Sequence, residues 1–476
     1  MKKITESSTL MTLFSLSSKS VSFVIITPFL LSHFSPAQIA FWYLLGIFIN
    51  MQALADFGFY NTFVRTIALS LSGGVNTIED LKRIESKDRL ISEPNVELCG
   101  QIIGTMRHVY LFLSICLFVI MLALSPFFVK NINELNSTFE GWACWIIVVL
   151  FSVINFYGRP YSNFLMAQNK VALVRKWEGV FNSIAILVNI LVILFVNSLL
   201  LLVISNQIWV LVNVLRNRYL AFNSKDIYKY KLFLCYGYDK EVMRYVWPLA
   251  WRAGLSSLTT TGVVGFSGLV YAQISTSAHA SSYLFAEKLY NALRSFAMAP
   301  FYSKIPLLVS YRGQNRIKEW EQTAQKGMLY ASLLLVIGII GCDVFGEMAF
   351  KFFKSNIAFP NHLLWLLLGW SYFLHRYGAM HTQLYTTINK VNSHISDLLS
   401  GVIMIIVWIL FINQYDVYVF PLGMLCGYLG FYIWFATYYS YRVIQCSLWQ
   451  FELRANILPF GMLLVYSLII LALSVF

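Results

Sequence analysis

Charged side chains inside otherwise apolar stretches are the residues of this sequence whose chemistry demands a reason. The cations are Lys19, Arg65, Arg159, Arg252, Lys288, Arg294, Lys304 and Arg376, and the acids near them are Asp56, Glu287, Asp343, Glu347 and Asp397. A charge facing lipid at the centre of a span costs roughly 2.5–3.5 kcal/mol, so each needs water, a partner or a short path to the surface. Cations outnumber acids, and a surplus of buried positive charge attracts anions. Glu287, Asn291 and Arg294 are spaced i, i+4, i+7 and share one helical stripe. That stripe either lines the path of a passenger or ion, or forms an ion pair between helices; Lys288 is offset from it. Lys19 is placed to reach Asp56 on the following span, as a substrate or gating contact or as a structural pair. Asp56 stands in Ala55-Asp56-Phe57-Gly58-Phe59 and either binds a coupling cation or holds a cationic neighbour. Arg159 adjoins Pro160, where it either satisfies carbonyls that the proline frees or contacts phosphate or sugar. For Arg65, Arg252 and Lys304, close to the cytoplasmic surface, snorkelling competes with a role in the passage. Arg376 follows His375; that histidine and His381 titrate near neutral pH when unperturbed, and are read as polar contacts rather than a proton relay.

The elements that must position these residues follow from composition. The chain has 476 residues, 58% of them hydrophobic and 12% charged, with mean hydropathy +0.66. Soluble domains run near 25% charged, so an all-α polytopic membrane protein is expected and disordered or disulfide-rich classes are excluded. Apolar runs long enough to cross a bilayer recur at 12–31, 38–66, 104–128, 142–167, 180–197, 198–216, 246–270, 279–309, 327–350, 361–388, 396–413 and 416–438, with a further one at 457–476. This predicts two six-helix lobes around a central cavity, 1–216 and 246–440, a cytoplasmic linker 217–245, and a segment 441–476 that carries a thirteenth helix. Cysteines number seven, scattered and without paired spacing, so no metal or redox motif is expected.

The net charge of +13 is a topology signal. With the N-terminus in the cytoplasm, most Lys and Arg fall on the cytoplasmic side: Lys82, Arg83, Lys87 and Arg89 in 70–103, and Arg218, Lys225, Lys229, Lys231, Lys240 and Arg244 in 217–245. Lys130, Lys351 and Lys354 lie opposite, as the positive-inside rule requires. Nucleic acid is therefore dropped as a partner. No loop has room for a catalytic domain or an ATPase, and no phosphate-binding glycine loop is present, so any energy source is an ion gradient or the passenger's own gradient.

The chain resembles the Wzx-type polysaccharide flippases of the multidrug/oligosaccharidyl-lipid/polysaccharide exporter superfamily. The resemblance is carried by Phe29 to Pro36 running into Ala37-Gln38-Ile39-Ala40-Phe41-Trp42, by Asp56-Phe57-Gly58-Phe59 followed by Arg65, and by Tyr283-Leu284-Phe285-Ala286-Glu287-Lys288-Leu289-Tyr290 through Pro300. His33 and Ala40 stand where that family usually has other residues. The resemblance implies a non-enzymatic flippase in the bacterial inner membrane, moving an undecaprenyl-pyrophosphate-linked oligosaccharide to the outer leaflet. It implies coupling to a Na+ or H+ gradient, no bound cofactor, and a polymerase and chain-length regulator as partners alongside membrane lipids. The diphosphate would pair with Arg294, Arg159, Lys19, Arg65 or Arg252, with Arg376 and Lys288 also in the passage. Two other readings remain open: a multidrug exporter of the same fold, and a membrane-embedded polymerase or glycosyltransferase. The basic interior argues against the first, and the unpaired external acids Glu134, Glu140 and Asp416 argue against the second.

Overall fold

The computed structural model describes residues 8–71, 95–223, 236–386, 393–444 and 446–475. The basic residues Lys82, Arg83, Lys87, Arg89, Lys225, Lys229 and Lys231 lie outside them. Among the described residues the chain is all helical. In chain order the helices are α1 (Ser8–His33), α2 (Pro36–Ala55), α3 (Phe59–Leu71), α4 (Val96–Ala123), α5 (Pro126–Asn133), α6 (Thr138–Tyr157), α7 (Arg159–Ala167), α8 (Val171–Phe195), α9 (Leu199–Phe222) and α10 (Lys240–Ser257). They continue as α11 (Val264–Ile274), α12 (Ser277–Ala297), α13 (Ala299–Tyr302), α14 (Ile305–Gly313), α15 (Ile317–Phe352), α16 (His362–Thr386), α17 (Ser393–Tyr415), α18 (Val419–Gly427), α19 (Ile433–Tyr441), α20 (Leu448–Ala455) and α21 (Ile457–Val475).

Helix boundaries sit where local chemistry puts them. Asn95, Ser137, Ser198, Thr276 and Ser447 each accept a backbone N–H of the first turn of α4, α6, α9, α12 and α20, which satisfies donors that have no partner inside the helix. Asp239 does so twice for α10. The turn at Asn197-Ser198 separates two long helices because Asn197 adopts φ 49°, a left-handed conformation that asparagine tolerates. Prolines behave less uniformly than the spans suggested. Pro28 and Pro248 lie inside helices. Pro160, Pro300 and Pro306 instead open α7, α13 and α14, where the missing N–H has no intrahelical acceptor to lose.

The chain divides into two compact units, Met1–Phe34 with Leu44–Leu258, and Ser35–Tyr43 with Thr259–Phe476. Helix α8 shows why the fold belongs in a membrane. Ile186 and Ile193 are buried while Leu187, Leu191 and Leu194 are exposed; a helix apolar on every side is at home in lipid. By length and hydropathy, six stretches of the described residues can cross a bilayer: 96–123, 138–167, 171–195, 199–222, 317–352 and 393–441; the bent pair α20 and α21 makes a seventh. The last of the six is a hairpin, since Asp416 turns the chain at φ 47° and Trp408 Nε1 donates to the Phe420 carbonyl at 3.2 Å. Of the remaining expected spans, 12–31 and nearly all of 361–388 fall in the unbroken helices α1 and α16, of 26 and 25 residues, and the others are broken or shorter helices. The run 38–66, expected as one span, is interrupted at Asp56-Phe57-Gly58 between α2 and α3. The run 457–476 is helical over Ile457–Val475.

Candidate functional site

In the first unit the break between α2 and α3 places Asp56 at the N-terminus of α3. Phe57 and Gly58 adopt φ 47° and 77°. Glycine does so freely, whereas a side chain there costs roughly 1–2 kcal/mol. The break turns the Asp56 carboxylate back onto the new helix: Oδ2 accepts the Tyr60 N–H at 2.9 Å, a favourable place for negative charge. The other oxygen, Oδ1, receives the Tyr110 hydroxyl at 2.6 Å and lies 3.2 Å from Arg159 Nη1. Asn163 Nδ2 in turn donates to the Tyr110 oxygen at 3.1 Å, and the Arg159 guanidinium rests 4.8 Å from the centre of the Phe156 ring. The partner of Asp56 is therefore Arg159. The α6–α7 junction at Gly158 carries it there, and Arg159, read as a phosphate contact or a carbonyl partner, is bound in a structural ion pair. Lys19, placed by the sequence to reach Asp56, lies in α1, and its side chain lies outside the described residues. Arg65 and Arg252 are exposed, as is Lys304.

The second unit holds the opposite arrangement. Arg376, near the middle of α16, is 3% exposed. Its guanidinium lies 4.7 Å from the centre of the Tyr302 ring, and its Nε and Nη2 have no hydrogen-bond partner among the described residues. A cation–π contact in a desolvated place is worth about 2 kcal/mol. Each buried donor left unsatisfied costs about 1–3 kcal/mol, and the charge itself several more, so the tyrosine does not balance the burial. Arg294 on α12 is half-buried, lies 5.8 Å from the centre of the Tyr372 ring, and is close enough for its charge to act on both His375 and Arg376. A buried and a half-buried cation thus act on each other.

The rest of this site is tyrosine. The π-helical turn Tyr428–Tyr432 brings Tyr428 and Tyr432 onto the His375 ring, at 5.2 and 5.6 Å between ring centres. Wide turns of this kind are frequent at functional sites. Gly378 makes the approach possible, since a methyl there would stand 2.4 Å from Tyr432 Cε1. The hydroxyl of Tyr372 and Nδ1 of His375 are also buried without a hydrogen-bond partner among the described residues. Reading the sequence singled out Arg376, Arg294 and His375 but missed Tyr302, Tyr372, Tyr428 and Tyr432. The i, i+4 spacing of the last two was the available signal.

The expected stripe of Glu287, Asn291 and Arg294 lies along α12. Glu287 is buried, with the charges of Lys288 and Arg294 acting on it. Asn291 is turned back along the helix, donating to the Glu287 carbonyl at 2.9 Å. Among the described residues no group of three or more His, Cys, Asp or Glu could hold a metal ion.

No protein-family model and no curated protein sequence matches the chain. Solved structures do. A multidrug resistance MATE family transporter of the MOP superfamily, in an inward-facing conformation, aligns with TM-score 0.66 at 13% identity, over 91% of this chain and 98% of that one. The lipid II flippase MurJ, inward closed, aligns with TM-score 0.58 at 12% identity, over 98% of this chain and 99% of that one. The MATE multidrug transporter DinF-BH aligns with TM-score 0.61 at 13% identity, over 93% of this chain and 96% of that one. At these identities the likeness speaks for architecture, and it is shared about equally between exporters and a flippase. The chain shares its all-helical fold with these transporters and the flippase.

Proposed function

We propose that this protein is a flippase for an undecaprenyl-pyrophosphate-linked oligosaccharide, carrying the repeat unit from the cytoplasmic to the outer leaflet of the bacterial inner membrane, with its N-terminus in the cytoplasm. The observation that carries the proposal is Arg376, a buried guanidinium with two unpaired donors and a second cation, Arg294, for company. A diphosphate is the ligand that such a pair fits. It brings the missing negative charge, and a planar guanidinium meets phosphate oxygens with two parallel N–H bonds. Tyr302, Tyr372, Tyr428 and Tyr432 around it offer aromatic faces of the kind on which sugar rings pack. A flipped molecule keeps its bonds, so no acid–base pair is required of the site. An ion gradient supplies the drive, and a polymerase and a chain-length regulator would work alongside.

The multidrug reading is the one to beat, because several structural neighbours are named as multidrug transporters. The experiment sets the two against each other. Full-length protein in proteoliposomes is offered a short-chain polyprenyl diphosphate glycan and, separately, a cationic dye. Saturable movement of the diphosphate, at least tenfold weaker in Arg376→Gln, is the expected result. Dye efflux with no diphosphate movement would overturn the proposal.

A further inference from the structure

A second buried ionisable cluster lies at the C-terminal end of the second unit, and the anion site makes no use of it. Glu452, in the last turn of α20, is nine-tenths buried. Its Oε1 accepts the hydroxyl of Tyr377 at 3.2 Å and that of Tyr441, and stands 3.2 Å from Nε2 of the fully buried His381. Its Oε2 accepts Nδ2 of Asn456 at 2.7 Å, and Asn456 Oδ1 accepts the Ser332 hydroxyl at 3.1 Å. Helices α15, α16, α19 and α20 therefore converge on one carboxylate, one turn before Asn456, where α20 bends by 63° into α21. The titratable groups that face Glu452 are Tyr377 and His381 from α16 and Tyr441 from α19. From α15 it is met by Ser332, through Asn456. Among the described residues no Lys or Arg stands within ion-pair distance.

The histidine differs from its neighbour on the same helix. His375 has no hydrogen-bond partner at Nδ1 among the described residues, and the charges of two arginines reach it. His381 has the Glu452 carboxylate at ion-pair distance from Nε2, without hydrogen-bond geometry among the described residues, and, on the other side, Ser440 Oγ at 3.0 Å from Nδ1. A hydroxyl either donates or accepts. With a proton on Nε2 only, Ser440 donates to Nδ1; with a proton on both nitrogens, Nδ1 donates to the same oxygen after the hydroxyl turns. Both protonation states are thus served without moving a helix. A proton on both nitrogens would set a cation beside the Glu452 carboxylate, 3.2 Å away. The cluster also has a way out. Tyr441 lines a groove of about 870 Å³ with Phe431, Trp434, Phe435, Tyr438 and Arg442, while its hydroxyl reaches Glu452.

We propose that His381 and Glu452 form a proton-binding site, in which one proton taken up at His381 turns a net-negative buried pair into a neutral ion pair and tightens the hold of α16 and α19 on the bend between α20 and α21. The proton is then the coupling ion, a consequence that rests on the transporter reading above, whereas the binding itself is independent of the passenger.

The test is titration of 15N-histidine-labelled full-length protein in lipid nanodiscs, from pH 4.5 to 9, with His381 assigned by the resonance lost in His381→Gln. The expected result is an imidazole that passes from neutral to cationic within this range, and whose proton affinity falls at least tenfold in Glu452→Gln. An imidazole that stays neutral throughout, or a midpoint unmoved in Glu452→Gln, overturns the proposal. Should His381→Gln fail to fold, Ser440→Ala, which touches only Nδ1, supplies the assignment. An intact titration with no diphosphate movement would sink the passenger and leave the proton site standing.

Discussion

Asp56 in the first unit and Arg376 in the second are both buried charges in the middle of apolar sequence, 5% and 3% exposed. Their surroundings are opposite. Asp56 is closed on every side, by a backbone N–H, a tyrosine hydroxyl and an arginine. Arg376 has an aromatic face and, among the described residues, two donors without partners. Both are expensive to bury, but only the first has a complete return within its own unit. A charge whose partners are all present holds helices together. A charge whose partners are missing from the fold is matched to something that arrives. On this comparison Arg159 belongs to the architecture and Arg376 to the passenger, although the sequence presents them as similar arginines inside apolar spans.

The largest effect should come from breaking the closed site. Asp56→Ala leaves Arg159 and the Tyr110 hydroxyl without their acceptor, and removing one partner of a buried pair typically costs 3–5 kcal/mol. The Arg159 side chain is 24% exposed, which places the expected loss near the lower end. Thermal unfolding in detergent measures it, and the double variant Asp56→Ala/Arg159→Met should recover at least half. A loss below about 1 kcal/mol would remove Asp56 from the architecture. The open site should answer in the other direction. Arg376→Met keeps the bulk and removes the uncompensated charge, so stability should hold or rise by about 1–3 kcal/mol while diphosphate movement is lost. A variant both less stable and fully active would erase the contrast between the two regions.

Much of the fold was legible because span placement depends on hydropathy alone, and each apolar run is found as a helix or a chain of helices. Breaks inside runs were not legible. Nothing in the hydropathy of Ala55 to Phe59 distinguishes a continuous helix from one interrupted by two left-handed residues, although Gly58 beside Asp56 was a hint. The candidate residues were legible as charges and illegible as pairs. The sequence offered Lys19 as a residue that could reach Asp56 and gave no sign of Arg159, which the packing of α7 against α3 and α4 brings to it. Tyrosines fared worse, because belt, packing and site tyrosines look alike in sequence. Glu452 was passed over for a related reason: it stands in a short helix ahead of the last apolar run, and the groups that bury it come from residues more than seventy positions earlier as well as from nearby.

Close approach offers a finer way to test the open site. At Gly378, two residues beyond Arg376, a methyl would press on the Tyr432 ring at 2.4 Å. Gly378→Ala should therefore cost about 1–3 kcal/mol by overpacking and also weaken diphosphate movement, since Tyr432 frames the site. Gly338→Ala is the control. Its methyl would meet Leu293 Cδ2 at 2.8 Å, a flexible side chain, so its stability loss should be smaller and should leave transport unchanged. Equal transport defects in the two variants would mean that the tyrosine frame is only packing.

The smallest expected effect sharpens the closed site. Asn163 is fully buried, and its Nδ2 donates to the Tyr110 oxygen, whose own proton goes to Asp56. The asparagine fixes the direction of that proton, because a hydroxyl that accepts from one side must donate to the other. Asn163→Ala should cost about 1 kcal/mol, the usual net worth of one hydrogen bond, with no change in transport. The informative measurement is the cycle with Asp56→Asn. Residues in one hydrogen-bond network show coupling of at least about 0.5 kcal/mol. If Asn163 acts by aiming the Tyr110 hydroxyl, its substitution should matter less once the carboxylate is gone. Simple additivity would reduce Asn163 to a packing residue and leave Asp56 held by Arg159 and the α3 N-terminus.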